Sequence, residues 1–404
     1  MDGNRMLGLI LDVGKELIQC GGETHRVEDT LNRLASCYSF TDCNIWVIPT
    51  NIQATVTAPD GEVLTQTRNI QTTGLEYDRL CRLNELSRWA CREIPDEAAF
   101  EARLKEIRTS PYVGLWLQIL GCALGGWGFG LFFGCDLPDS LIALLTSVCV
   151  CLLIHRISSR ERNPLVLNFL ISFLMESLII LSALFGAASH MGYITIGVVM
   201  LLISGLGTTN GLRDLVHLDT LSGLINLTAS FTGAIGIALG IALPLMIVPL
   251  ESSHEITSLN SSTVIQIISC LIACAGFSIW FHIKGWKIAI CALGGALTWC
   301  SYLIASTYLT DLFGSIMIAS ITCGLYGQIM ARLLKTPATV FTTTCLLPLI
   351  PGGALYYMMY GIVTKDAALS RGKGIELFLT CFGIVLGYMV VEVVNRCLWK
   401  PKRG

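Results

Sequence analysis

The chain has 404 residues, of which 53% are hydrophobic and only 14% are charged, and its formal net charge is −2. Soluble proteins are on average about 25% charged, so this composition argues against a purely soluble protein. A nearly neutral chain without a basic block argues against nucleic acid as a partner. The high hydrophobic content excludes a disordered chain.

The charged side chains are unevenly distributed along the chain. Residues 1–112 contain 29 of the 56 charged side chains, although they make up little more than a quarter of the length. This division predicts a small water-soluble part, residues 1–112, followed by a large lipid-soluble part. Asp12, Lys15 and Glu16 interrupt the first apolar segment, so we do not expect a signal peptide, and we expect a cytosolic N-terminus.

Residues 1–112 combine helical and strand patterns. Apolar residues recur at helical spacing, then alternation and an Asp60-Gly61 turn indicate a hairpin, and charged amphipathic segments follow. The pattern predicts helices at 4–19 and 24–36, strands at 44–49, 52–58 and 62–68, and helices at 73–94 and 96–108. We therefore predict a small cytosolic α+β domain.

The lipid-soluble part contains apolar runs of the length that crosses a bilayer, which is about 17–25 residues. We predict ten spans, at 113–134, 138–155, 164–187, 191–208, 221–249, 263–282, 286–306, 312–333, 338–360 and 375–395. The predicted fold is thus an all-α polytopic membrane protein with a small N-terminal α+β domain, which makes the lipid bilayer one of its partners.

Lysine and arginine in the short loops predict the orientation in the cell membrane. The loops after the second, sixth and eighth spans and the C-terminal segment carry Lys and Arg, whereas loops 135–139, 188–192, 250–262 and 307–311 carry none. Both termini are therefore expected in the cytosol. Loop 361–374 disagrees with this pattern because it carries Lys365, Arg371 and Lys373, although the count of spans places it outside.

The two halves of the membrane part resemble each other. At an offset of 147 residues, Ile203 aligns with Ile350, Gly205 with Gly352 and Asp219 with Asp366. We predict two five-helix repeats, 113–250 and 263–397, and an odd number of spans makes such repeats inverted. Inverted repeats with helices broken near the midplane are common in secondary transporters. The alternative is that glycine and proline are frequent in any membrane helix.

One acidic residue lies in the middle of a predicted span. Glu176 falls within the third span, and ionisable groups at membrane depth are costly and usually functional. Burial favours the protonated form of a carboxyl group, as a proton carrier requires. The alternative is a structural Glu that is hydrogen-bonded to a neighbouring helix.

A second polar cluster follows the fourth span and consists of Asn210, Arg213, Asp214 and Asp219. If the helix breaks there, backbone ends and opposite charges could hold a zwitterion. The alternative is a cytosolic loop with a surface ion pair. In the ninth span we add Pro351 and Gly352 to the expected substrate and proton pathway, because they mark a broken helix.

No catalytic, cofactor or metal-binding pattern stands out. Most of the seventeen cysteines lie inside apolar runs, where small polarisable packing residues are expected, and no Cys/His pair has zinc-ligand spacing. In the soluble part, Thr24, Arg26 and Glu28 form a short motif whose role could be catalytic, regulatory or structural. We predict no catalytic residue, no cofactor and no metal.

Three segments resemble the threonine/serine exporter family of bacteria. They are GGETHRVE at 21–28, SGLGTTNGLRD at 204–214 and LLPLIPGG at 346–353. The resemblance covers the whole chain in order, although Ser204 stands where the family often has proline. It implies a soluble domain before ten spans, and export of small polar metabolites.

The function that the resemblance implies is secondary active export of threonine and serine, coupled to protons, and not an enzymatic activity. Small dicarboxylates such as succinate are the alternative substrates, because split relatives carry them. A membrane-embedded enzyme or a sensor with a regulatory N-terminal domain is the alternative of another class. The expected partners are a small-molecule substrate and protons, and a homo-oligomer is left open.

Overall fold

The computed structural model describes residues 2–71, 74–110, 113–158, 160–161, 163–203, 205–216, 218–248 and 262–398. The chain divides into two compact units. The N-terminal unit comprises Met1–Val113, Phe281–Lys284 and Leu334–Val340. The helical unit comprises Gly114–Trp280, Gly285–Leu333 and Phe341–Gly404.

The N-terminal unit is the predicted α+β domain. Its elements are α1 (Gly3–Gln19), α2 (Thr24–Cys37), β1 (Thr41–Ile48), β2 (Asn51–Thr57), β3 (Val63–Asn69), α3 (Tyr77–Glu93) and α4 (Glu97–Thr109). The strands form an antiparallel sheet in the order β1-β2-β3. Burial of the apolar face of α1, including Met6, Ile10 and Leu11, supplies the centre of its core.

Opposite charges from four elements meet beside α1. Asp12 lies 2.6 Å from Arg68 Nε on β3 and 3.1 Å from Arg108 Nη2 on α4. Glu16, one helical turn further, lies 2.9 Å from Arg108 Nε. Arg79 of α3 donates to the backbone oxygen of Arg108 at 2.6 Å. These partly buried ion pairs fix the positions of α1, β3 and α4 relative to one another.

In the described residues, fewer helices of the helical unit qualify as membrane spans than the ten predicted. Its helices are α5 (Leu115–Phe133), α6 (Leu137–Ile157), α7 (Pro164–Leu184), α8 (Met191–Val199), α9 (Gly205–Val216), α10 (Thr220–Ile247), α11 (Thr263–Trp280), α12 (Lys287–Tyr308), α13 (Leu312–Leu333), α14 (Ala338–Leu346), α15 (Gly352–Val363) and α16 (Ala367–Leu398). Within the described residues, eight helices are long and apolar enough to cross a membrane. A ninth candidate span is a pair bent by 54°, Ala338–Leu349 with Gly352–Ile362.

The predicted fourth span, 191–208, is divided between two short helices, α8 and α9. Residue 204 between them lies outside the described part of the chain. The disputed loop 361–374 is short, because α15 ends at Val363 and α16 begins at Ala367. Arg371 and Lys373 therefore lie in the first two turns of α16, where Lys373 Nζ is 2.7 Å from Glu376.

The helices of the two halves begin at matching positions. Helices α8, α9 and α10 begin at Met191, Gly205 and Thr220, and α14, α15 and α16 begin at Ala338, Gly352 and Ala367. Each pair of starts is about 147 residues apart, the offset that the sequence alignment predicts. This agreement supports the two five-helix repeats, and their inverted orientation remains a proposal.

Equivalent close contacts also recur in the two halves. A Cβ on Gly240 of α10 would lie 2.5 Å from the carbonyl oxygen of Phe169 on α7. In the second half, a Cβ on Gly387 of α16 would lie 2.7 Å from the carbonyl oxygen of Met317 on α13. Glycine is required at both positions because the backbones approach each other closely. The third and fifth helices of each half thus pack in the same way.

Candidate functional site

The helix break in the second half lies at a proline-rich segment. Helix α14 ends at Leu346, a 3-10 turn covers Leu347–Leu349, and Pro351 occupies the N-cap position of α15. Proline cannot donate a backbone hydrogen bond, so two prolines within four residues favour interruption of the helix. The structure confirms the break that the sequence predicts at Pro348 and Pro351.

The break in the first half contacts the break in the second. A Cβ on Gly352, the first residue of α15, would lie 2.9 Å from Met200 Sδ and 3.5 Å from Ile203 Cγ2. Met200 and Ile203 belong to the segment between α8 and α9. Two interrupted helices therefore meet inside the helical unit, and a Cβ at Gly352 would require the side chain of Met200 to move.

Glu176 lies beside this junction on α7. Its side chain is fully buried and accepts a hydrogen bond of 2.9 Å from Thr195 Oγ1 of α8. The sequence predicts the buried carboxyl group but not its partner on the broken helix. A carboxyl group in this setting can take up and release a proton, and Thr195 links its state to α8.

Three tyrosines follow the break on α15. Tyr356, Tyr357 and Tyr360 are spaced so that they share one face of the helix, and the ring of Tyr356 lies 4.9 Å from that of Tyr357 and 5.9 Å from that of Tyr360. Tyr356 is buried in the same cluster as Met175 and Ile179, which flank Glu176 on α7. These tyrosines were not among the site residues that the sequence predicted, because their spacing places them on one face of α15 without indicating what that face contacts.

The second cluster that the sequence predicts lies on α9 and at the start of α10. Asp214 Oδ2 accepts a hydrogen bond of 3.0 Å from Asn226 Nδ2 of α10. Asp219 is the N-cap of α10, and its side chain accepts from the backbone N–H of Ser222. The side chain of Arg213 lies outside the part of the structure that is described. Asp219 therefore caps the N-terminus of α10.

Polar hydroxyl groups lie on the same helices as these carboxylates. Among the described residues, the buried hydroxyl oxygens of Ser172 on α7 and Thr208 on α9 have no hydrogen-bond partner. Ser172 precedes Glu176 by one helical turn and shares its face. Thr208 lies within the first turn of α9, two residues before Asn210. Buried hydroxyls of this kind can bind a polar ligand.

Asp139, which the sequence did not indicate, holds the N-terminal end of α8. Its fully buried carboxylate accepts from the backbone N–H groups of Ser189 and His190 at 2.8 and 3.1 Å, and His190 Nδ1 lies 3.0 Å away. Asp136, Asp139 and His190 have ligand atoms within 4.8 Å of one another, a spacing that a metal ion could use. Because both oxygens of Asp139 already accept hydrogen bonds, we assign the cluster a structural function.

The motif of the N-terminal unit lies at the start of α2. Thr24 is its first residue and is buried, and Arg26 Nε lies 3.0 Å from Glu23 Oε2. The backbone oxygen of Glu28 accepts from the side chain of Asn32 at 3.0 Å. Arg26 therefore pairs with the residue before α2.

Two contacting broken helices beside a buried carboxyl group define the class as a polytopic membrane transporter. A family model described as a threonine/serine exporter matches residues 8–248, and a second, described as "Threonine/Serine exporter, ThrE", matches residues 266–394. The chain belongs to the threonine/serine exporter family, whose members are named as transporters and not as enzymes. It is accordingly a multi-pass membrane protein.

Two curated relatives carry the same name. A threonine/serine exporter of Corynebacterium glutamicum is 25% identical over 339 residues, which are 81% of this chain and 68% of the relative. A probable threonine/serine exporter of Mycobacterium tuberculosis (strain ATCC 25618 / H37Rv) is 23% identical over 406 residues, 92% of this chain and 75% of the relative. No solved structure matches the chain.

Proposed function

We propose that the protein exports threonine and serine across the cell membrane in exchange for protons. The observation that carries this proposal is the contact between the two helix breaks, Gly352 against Met200, next to the buried Glu176. A transporter needs a site that can open to either side of the membrane, and interrupted helices at a repeat interface provide one. The names of the two relatives support the choice of substrate.

An amino acid in this site would be held by its two charged groups. The first turn of α15 offers backbone N–H groups and a positive helix dipole to a carboxylate. The ammonium group would face the rings of Tyr356 and Tyr357 by cation–π attraction and Asp214 by charge. The free hydroxyls of Thr208 and Ser172 suit the hydroxyl group that threonine and serine share.

Glu176 would carry the proton. In the protonated state the carboxyl group is neutral and suited to its buried position, and proton release leaves a carboxylate that Thr195 Oγ1 stabilises. Since Thr195 lies on α8, the change of charge alters the strength of the hydrogen bond that joins Glu176 to α8, the helix that leads into the break. This arrangement would link proton release to opening of the site.

The orientation follows from the loops. Lys284 and Lys335 lie in segments that belong to the same compact unit as residues 1–113, so the charged domain and these basic segments lie on one side. By the positive-inside rule that side is the cytosol, and we propose that both termini lie there. The paired starts of α9 and α15 support two inverted repeats around the site.

The test is a substrate panel with purified protein in liposomes. Serine and threonine should accumulate against their gradient when a pH gradient is imposed, and succinate should not. If succinate alone moved uphill, the substrates would be dicarboxylates and not amino acids. Flux that no pH gradient can drive uphill would contradict proton exchange and favour a channel.

A further inference from the structure

Glu23 of the N-terminal unit contacts the first turn of a broken helix. Its Oε1 accepts a hydrogen bond of 3.1 Å from Thr339 Oγ1, and its Oε2 lies 3.0 Å from Arg26 Nε. Thr339 is the second residue of α14 and is buried. The carboxylate thus joins α2 and α14, two elements 316 residues apart in the chain.

The glycines before Glu23 determine where its side chain lies. Gly21 has a φ of +89°, a conformation that residues with a Cβ rarely adopt. A Cβ on Gly22 would lie 2.7 Å from the carbonyl oxygen of Leu17. The two glycines permit a tight turn from α1 into α2, and this turn carries Glu23 to the segment 334–340. The two glycines therefore have a geometric function, because they allow the turn that places Glu23 next to segment 334–340.

Three further contacts hold segments from the second half in the N-terminal unit. Arg88 Nη2 donates to the backbone oxygen of Lys335 at 2.9 Å. Lys284 Nζ lies 2.8 Å from Asp78 Oδ2, and the ring of Tyr77 packs edge-on against that of Phe281. Segment 281–284 precedes α12, and segment 334–340 includes the start of α14, so the N-terminal unit holds chain next to the starts of two helices of the second half.

We propose that Glu23 is a positioning residue that fastens the N-terminal domain to the first turn of α14 and thereby restrains the helix break at 347–351. A carboxylate beside a helix N-terminus is favoured by the helix dipole, and Arg26 fixes its direction. A movement of the domain is then transmitted to α14 through the hydrogen bond between Glu23 and Thr339. The domain acts as a cytosolic control element of the broken helix, which goes beyond the proposed substrate and proton sites.

Hydrogen–deuterium exchange of the full-length protein in lipid nanodiscs tests the contact without any assumption about transport. In Glu23→Ala, amides of 338–346 should exchange about tenfold faster, because a hydrogen bond to a charged group no longer restrains the first turn. Thr339→Val, which is nearly isosteric, should give the same increase. The double variant should add little to either single variant, since both remove one interaction.

A matched control lies on the same helix. Asp29→Asn removes an exposed ion pair of 2.7 Å with Arg33 that involves only α2, and it should leave exchange in 338–346 unchanged. Unchanged exchange in both Glu23→Ala and Thr339→Val overturns the proposal. An equal increase in Asp29→Asn also overturns it, because the effect would then be general loosening of α2.

Transport gives a second readout that a purely structural contact would not move. Glu23→Ala should lower the initial rate of serine uptake while leaving the final accumulation unchanged, because it alters the rate at which the site opens and not the proton exchange. A wild-type rate with faster exchange would overturn the control role. If the wild type moved neither serine nor threonine, the proposed substrates would be wrong. The hydrogen–deuterium exchange experiment would still decide whether the contact between Glu23 and Thr339 restrains α14.

Discussion

Replacing Glu176 with glutamine removes the ionisable group from α7 and leaves a side chain of nearly the same volume. The amide oxygen of glutamine can still accept the hydrogen bond from Thr195 Oγ1, so we expect the protein to remain folded and inserted. Uphill transport should stop because no proton can be carried. Exchange of labelled serine for unlabelled serine should continue, since it needs no proton movement.

The size of the effect follows from the number of protons that each transport cycle carries. Helices α7 and α13 correspond at an offset of about 148 residues, which aligns Glu176 with Gly324 in the second half. The second repeat therefore lacks an equivalent acid at this position, and one proton per cycle is expected. One pH unit corresponds to about 1.4 kcal/mol, or about tenfold accumulation per proton. A gradient of two units should concentrate serine about 100-fold in the wild type and not at all in Glu176→Gln.

The assay is the final ratio of serine inside and outside liposomes at a fixed pH gradient, with the membrane potential clamped. Ser177→Ala is the matched control, because Ser177 is the next residue of α7 and bonds only to the local backbone oxygen of Phe173 among its described contacts. The control should accumulate serine like the wild type. Full accumulation by Glu176→Gln would refute the assignment of the proton to this carboxyl group.

Three further outcomes are expected. Asp214→Asn should raise the KM for serine about tenfold if, as we propose, its charge faces the ammonium group, and an unchanged KM in the liposome assay would exclude that role. Gly240→Ala should destabilise the protein by about 1–3 kcal/mol because its Cβ would meet the backbone of α7, whereas Gly372→Ala, with open space around it, should stabilise by up to about 1 kcal/mol in thermal unfolding. Burial raises the pKa of the Cys20 thiol to about 12, so it stays protonated at pH 8 and should react with an alkylating reagent far more slowly than the exposed Cys397, as mass spectrometry can measure.

Features that depend on neighbours in the chain were predictable. The helix starts of the N-terminal domain, the hairpin at Asp60-Gly61 and most of the apolar helices are local patterns, and their observed bounds lie within a few residues of those predicted. The last span is an exception, because α16 begins at Ala367, eight residues before the predicted start. The interruption at Pro348 and Pro351 was also predictable, since proline removes a donor wherever it stands in a helix. The family resemblance rests on the same short segments.

The partners of the candidate residues were not predictable in this way. Whether Glu176 meets Thr195, or a tyrosine of α15 faces α7, depends on the rotation of each helix about its axis and on the helix against which it packs. Tyrosines in an apolar segment look the same whether they face lipid or the interior. Asp219 is the opposite case, since its position in the sequence suggested a ligand and its geometry makes it a helix cap.

The sequence by itself therefore determined the two parts of the protein, its apolar helices, the offset of 147 residues between helix starts and the exporter family, because run length, charge and motif order are local or linear properties. Only the tertiary structure decided that the two breaks touch at Gly352 and Met200, and that Glu23 reaches Thr339. Such contacts join segments more than 100 residues apart. They depend on how closely glycine-lined backbones can pack, which no single segment specifies.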